Sequence, residues 1–88
     1  MNCMFSGPSH CKFVWTSFEK NHVLGLAKVD DIDTEEDCKA RCEVTVVCWS
    51  LDFNHQEKSC WFGSKKNPTP LVPDEIVTHW NVDRDCGG

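Results

Sequence analysis

The sequence predicts a small, disulfide-rich α+β domain in which an antiparallel sheet packs against one short helix. Three observations lead to this prediction. The chain is 88 residues long and contains seven cysteines. An acidic stretch leads directly into two cysteines spaced four apart, as on one face of a helix. Segments rich in β-branched and aromatic residues follow, and polar or proline-containing stretches separate them.

The length indicates one domain that needs covalent support. A chain of this size buries roughly 60% of the surface that its unfolded form exposes, so an apolar core alone is marginal. Seven cysteines in 88 residues are typical of short secreted scaffolds and favour an oxidising compartment over the cytosol. We therefore expect a secreted, extracellular protein. Residues 1–7 lack the basic and apolar regions of a signal peptide, so we expect that the export signal lay upstream or was removed.

The charge balance and the absence of a long apolar run exclude two functions. Nine Lys and Arg stand against fourteen Asp and Glu, which gives a formal net charge of −5. Nucleic-acid binding relies on a basic stripe that neutralises phosphates, and the basic residues here are scattered. No apolar run approaches the roughly 20 residues that span a bilayer. We expect neither nucleic-acid binding nor membrane insertion.

The N-terminal third is predicted to contain a flexible arm followed by short strands. Residues 1–10 show no periodicity and are predicted to form the arm, and the folded domain is predicted to span residues 11–86. Cys11 to Trp15 is a short run that favours a strand. The apolar stretch 21–29 is broken by a glycine and indicates irregular strands.

One helix is predicted over residues 35–43. Asp33 or Thr34 can cap its first turn, where acidic side chains also interact favourably with the helix dipole. A helix of about two turns does not persist alone in water, so it must be held against a partner. Cys38 and Cys42 lie on one face of this helix, and we expect them to hold it.

Three later segments are predicted to be strands. Residues 44–54 and 59–63 are predicted to form a hairpin, and residues 75–83 the last strand. Alternation of apolar and polar side chains in these segments predicts one face on the core and the other in water. The four histidines are expected in loops or on the wet face of a strand, and they are His10, His22, His55 and His79.

Six cysteines form a frame, with four of them close together and one at each end: Cys11, Cys38, Cys42, Cys48, Cys60 and Cys86. Two interpretations compete. A structural zinc site usually takes paired short knuckles such as Cys-x2-Cys, and the one short pair here is helical, which disfavours zinc. As disulfides, six cysteines allow fifteen pairings, and the spacing does not select among them.

The segment from Asp33 to Phe62 resembles the core of the PAN/apple family. It has a short helix carrying Cys-x3-Cys, then Cys48-Trp49-Ser50-Leu51-Asp52-Phe53-Asn54 on the first hairpin strand and Cys60 on the second. The likeness extends with less specificity from Cys11 to Cys86. The pairing that the resemblance implies is Cys38–Cys60, Cys42–Cys48 and Cys11–Cys86. The stretch from His79-Trp80 to Cys86 is also similar, more loosely, to single-domain leech antiplatelet collagen-binding proteins.

Cys3 lies outside this six-cysteine pattern. Three roles are open to it: a free thiol in the arm, a disulfide-exchange partner, or the link of a covalent homodimer.

The sequence contains no motif for catalysis or for a cofactor. Motifs for phosphate binding, zinc hydrolysis and a serine nucleophile are absent. A catalytic thiol needs a low pKa and a base held against it, whereas Cys3 lies in the predicted arm. The acidic cluster lacks the glycine-centred spacing of an EF-hand. We predict no enzyme activity, no cofactor and no metal site.

Recognition is the function that remains. Most of the four Trp and five Phe are expected in the core. Trp15 and Trp80, near the ends of the cysteine frame, are candidate ligand contacts, because exposed aromatic side chains dominate binding sites. The proline-rich loop 65–73 is the other candidate, since loops on a rigid scaffold commonly carry function. Its first three residues are Lys65, Lys66 and Asn67.

PAN/apple modules mediate extracellular protein–protein or protein–carbohydrate binding, usually without catalysis. The resemblance therefore implies a recognition or adhesion module that binds an extracellular protein or matrix component. A lectin-like domain that binds a glycan is the first alternative. The second is a structural or oligomerising module of a larger mosaic protein, for which dimerisation through Cys3 would be the sign.

Overall fold

A computed structural model describes residues 11–85, and within them one five-stranded antiparallel sheet carries one helix. The strands are β1 (Lys12–His22), β2 (Ala27–Val29), β3 (Ser50–Asn54), β4 (Ser59–Gly63) and β5 (Val72–Asp85), and the helix is α1 (Glu35–Glu43). Their order across the sheet is β1-β5-β3-β4-β2. The predicted α+β class is confirmed. In this part of the chain no helix has both the length and the hydropathy required to cross a bilayer.

Helix α1 begins and ends where the sequence predicts. Thr34 is the N-cap, and its Oγ1 accepts a hydrogen bond from the backbone N–H of Asp37 at 3.1 Å. The residues that α1 buries are Cys38 and Cys42. A two-turn helix with so little buried surface depends largely on these two side chains for its attachment.

Two disulfides connect α1 to the rest of the domain. Cys38 is bonded to Cys60 on β4, and Cys42 to Cys48 just before β3. These are the two central pairs that the resemblance implies. Cys11 is also disulfide-bonded. Cys86, its implied partner, lies outside the described residues, as do Cys3 and the predicted arm.

The strand bounds differ from the prediction at several places, and β5 begins three residues before and ends two residues after the predicted 75–83. β3 begins at Ser50 because residues 44–49 form turns, in which Thr45 N–H donates to Cys42 O and Cys48 N–H to Thr45 O. The Cys42–Cys48 disulfide holds this β-branched segment against the helix end and overrides its strand propensity. β1 continues well beyond residue 15, because β5 pairs with it along most of its length.

The second face of the sheet is covered, contrary to the predicted wet face. β3 is buried on both sides. Residues 23–26, which connect β1 to β2, lie near Asp52, and the Val23 N–H donates to its carboxylate. His79 is the register partner of Asp52 on β5 and is 0% exposed. The prediction of a solvent-facing His79 is therefore wrong. Periodicity along a strand cannot report a loop that returns to cover it.

Gly63 is required by the packing of this second face. A Cβ atom there would lie 2.5 Å from Ser50 Oγ and 2.6 Å from Leu26 Cδ2. We expect Gly63→Ala to lower the free energy of unfolding by about 1–3 kcal/mol, the usual cost of overpacking a core. Urea denaturation of the oxidised protein measures this difference.

Ser50 provides the control for that variant. Its Oγ is buried and has no hydrogen-bond partner among the described residues, so Ser50→Ala is expected to leave stability nearly unchanged. In the double variant Gly63→Ala/Ser50→Ala the close oxygen is gone, and part of the loss should be recovered. A Gly63→Ala protein as stable as the parent would show that this packing is not tight.

Candidate functional site

Two loops at one end of the sheet enclose a cavity of about 620 Å³, here called the loop groove. One wall is residues 23–27, which are the connection from β1 to β2 and the first residue of β2, and the other is residues 63–69, which are the last residue of β4 and the loop after it. Val47 and Cys48 contribute to the lining between them. Both walls consist mainly of loops that connect the strands of a cross-linked sheet. Binding residues are commonly located on such loops.

Apolar side chains stand exposed at the loop groove. Leu24 on one wall is 73% exposed, and Val47 is 61% exposed. Val44 and Val46 belong to the same segment as Val47 and are each 81% exposed. A cluster of exposed apolar residues on a small acidic domain is typical of an interaction site.

Arg84 fixes the segment that presents these valines. Its Nη2 donates to Cys42 O at 2.7 Å and to Thr45 O at 3.0 Å, and its guanidinium stacks near Trp49, 4.7 Å from the ring centroid. Burial lowers the pKa of Arg84, and the charge of Glu43 partly opposes this effect. The Cys42–Cys48 disulfide closes the same segment. Little conformational entropy is therefore lost when these valines are covered by a partner.

The three loop residues predicted from sequence, Lys65, Lys66 and Asn67, all line the loop groove. Lys66 Nζ lies 3.6 Å from Asp83 Oδ1 and 4.6 Å from the centroid of the Trp49 ring. Lys65 is exposed. The loop groove thus combines exposed apolar side chains with positive charge.

Trp15 and Trp80 lie elsewhere, where β1 and β5 face α1. Their rings pack edge to face with centroids 6.2 Å apart, and Lys39 Nζ lies 3.8 Å from the centroid of the Trp80 ring. The indole N–H of Trp15 donates to Glu43 at 2.9 Å, and that of Trp80 to Glu35 at 2.8 Å. Both rings therefore help to attach the helix to the sheet. Their role in ligand binding stays a prediction.

A buried polar network lies between the two walls, and the sequence analysis missed it. His79 Nδ1 lies 2.6 Å from Asp52 Oδ1, and His79 Nε2 lies 2.7 Å from Asn81 Oδ1. The ring can donate to both oxygens only in its doubly protonated form. The available signal was Asp52, a charged residue between the apolar Leu51 and Phe53, because a charge in such a place requires a partner.

The described histidines have partners of their own and do not form a metal site. His55 Nε2 lies 2.8 Å from the hydroxyl of Thr78. Across residues 11–85, no group of three or more His, Cys, Asp or Glu is arranged to hold a metal ion. His10 lies outside these residues.

One comparison with known proteins is informative. The family model described as the PAN domain matches residues 9–86. No curated protein matches the chain. The matched range contains both central disulfides and both walls of the loop groove.

Proposed function

The chain belongs to the PAN domain family, and from this premise we propose that it is a secreted, non-enzymatic module that binds an extracellular protein or matrix component through the loop groove. PAN domains are protein- or carbohydrate-binding modules of extracellular proteins and are generally non-catalytic. Disulfides such as those of this chain are typical of that environment.

The observation that carries the proposal is the exposure of Leu24 and Val47 at a groove that also contains Lys65 and Lys66. Burying an exposed Leu or Val side chain against a partner contributes roughly 1.5–3 kcal/mol to the free energy of binding. Lys65 is exposed and attracts negative charge, while Lys66 is partly neutralised by Asp83. The partner that fits is an extended protein segment in which apolar side chains stand next to acidic ones.

The tryptophans favour a protein over a sugar. A lectin that stacks a sugar ring needs an open aromatic face, and three of the described tryptophans already have a cation near the ring: Trp15, Trp49 and Trp80. The fourth, Trp61, lies outside the loop groove and donates its indole N–H to Ser59. The oligomerising alternative depends on Cys3, which lies outside the described residues.

Binding of the oxidised protein to immobilised collagens and other matrix proteins, measured by biolayer interferometry, tests the proposal. We expect saturable binding to at least one of them. The double variant Leu24→Asp/Val47→Asp should weaken it at least about tenfold, because each change removes apolar contact and repels an acidic partner.

The matched control is Ile76→Asp. Ile76 is also partly exposed, but it lies beside the β3–β4 turn, at the end of β3 away from the loop groove. The Ile76→Asp variant should bind as the parent does. Circular dichroism verifies that this variant and Leu24→Asp/Val47→Asp fold. A glycan array probed with the same samples decides the alternative: a sugar that binds equally well to the Leu24→Asp/Val47→Asp variant, with every matrix protein negative, would make this a lectin.

A further inference from the structure

We infer that a continuous chain of hydrogen bonds through buried His79 holds the two walls of the loop groove in position. The chain runs from the 23–27 wall, through three side chains of β3 and β5, to the 63–69 wall. His79 is thus a positioning residue for a groove that it does not line. The consequence for partner binding rests on the proposed function.

The first half of the chain holds the 23–27 wall. The backbone N–H of Val23 donates to Asp52 Oδ2 at 3.0 Å, and the other oxygen of the same carboxylate lies 2.6 Å from His79 Nδ1. Val23 is the first residue of this wall. The position of the wall is thus tied to the carboxylate of Asp52, which is held in turn by the imidazole.

The second half holds the 63–69 wall. His79 Nε2 lies 2.7 Å from Asn81 Oδ1, and Asn81 Nδ2 donates to Asn67 Oδ1 at 3.1 Å. Asn67 stands in the middle of this wall and has a φ of 48°. Asparagine tolerates this left-handed conformation, so its side chain can meet Asn81 without strain.

The burial of the central pair makes these bonds hard to replace. His79 is fully buried and Asp52 is 6% exposed. Water cannot readily take over a hydrogen bond there, and a broken bond leaves a buried polar group unpaired. Disrupting the pair is therefore expected to loosen both walls, because the network joins them through the side chains that lie between them.

Amide hydrogen exchange of the oxidised protein without any ligand tests the inference. In His79→Phe an aromatic ring stays in the core but both bonds are lost, so exchange in residues 23–27 and 63–69 should rise at least tenfold relative to exchange in α1. The matched control is Phe53→Leu, a buried change on the face of β3 opposite Asp52. It weakens packing without cutting the chain and should not single out the walls. The same pattern in both variants would overturn the inference.

Two substitutions of Asn81 provide a second test with a smaller expected effect. Asn81→Ala cuts the chain before the 63–69 wall, and exchange in that wall should rise several-fold. Asn81→Asp retains oxygens that face His79 and that can accept from the side-chain amide of Asn67, so the wall should be protected again. Equal exchange in the two variants would contradict a hydrogen-bonded link.

Binding to the immobilised matrix proteins separates this inference from the proposed function. We expect Asn81→Ala to weaken binding several-fold, mainly through faster dissociation, and Asn81→Asp to restore it. If exchange rises in the variants as described but the parent binds no matrix protein, the proposed function is rejected and the wall-positioning role is supported. Binding by the parent with exchange unchanged in both His79→Phe and Asn81→Ala would reject the positioning role alone.

Discussion

Removal of the Cys38–Cys60 disulfide is expected to lower the free energy of unfolding by about 3 kcal/mol, because the bond closes a loop of intermediate length in the unfolded chain. The two cysteines are separated by 22 residues in sequence, and both are fully buried. Small domains are stable by about 5–15 kcal/mol, and one of this size lies at the low end. Much of the stability should therefore be lost, and α1 should separate from β4 first.

Urea denaturation of Cys38→Ala/Cys60→Ala measures this loss. The matched variant is Cys42→Ala/Cys48→Ala, whose bond spans 6 residues in sequence. The shorter loop removes less unfolded-state entropy, so its loss should be about 1 kcal/mol smaller. Near-ultraviolet circular dichroism of the parent in excess reductant gives an independent reading. A fully native spectrum with all thiols reduced would show that the disulfides do not support the fold.

Replacing Asp52 by Ala should be the most damaging single substitution, because it leaves two buried groups, the His79 ring and the Val23 N–H, without their hydrogen-bond acceptor, at roughly 1–3 kcal/mol each. His79 has no exposed surface through which it could regain water. The backbone N–H of Val23 also loses its acceptor. Asp52→Asn keeps an acceptor for Val23 and should cost less.

A double-mutant cycle separates the pair from its surroundings. Asp52→Leu and His79→Leu are each expected to destabilise strongly, while the double variant should be clearly less destabilised than the sum of the two, since neither polar partner is then left alone. Thermal and urea denaturation of the four proteins provide the values. Additivity within about 0.5 kcal/mol would mean that the two side chains do not interact.

The histidine and the tryptophans show why candidate site residues are harder to predict than the fold. His79 alternates with apolar residues on a strand, which predicts a wet face, but it is fully buried, with Asp52 at its Nδ1 and the Phe18 ring beside it. Trp15 and Trp80 are predicted ligand contacts, and the structure adds that Glu35, Lys39 and Glu43 engage them from α1. In both cases the deciding neighbour lies far away in sequence, and no local pattern encodes it.

Local patterns in the sequence determined the helix, a cap at Asp33 or Thr34, the β3–β4 hairpin and the α+β class, because capping, propensity and periodicity act between residues a few positions apart. A family resemblance supplied the pairing of the four central cysteines. The tertiary structure alone decided that residues 44–49 turn back toward the helix, that Asp52 and His79 meet in the interior, and that two loops enclose the groove. These features depend on loops returning to a sheet and on cross-links between distant residues, whose free energies appear only once the chain is folded.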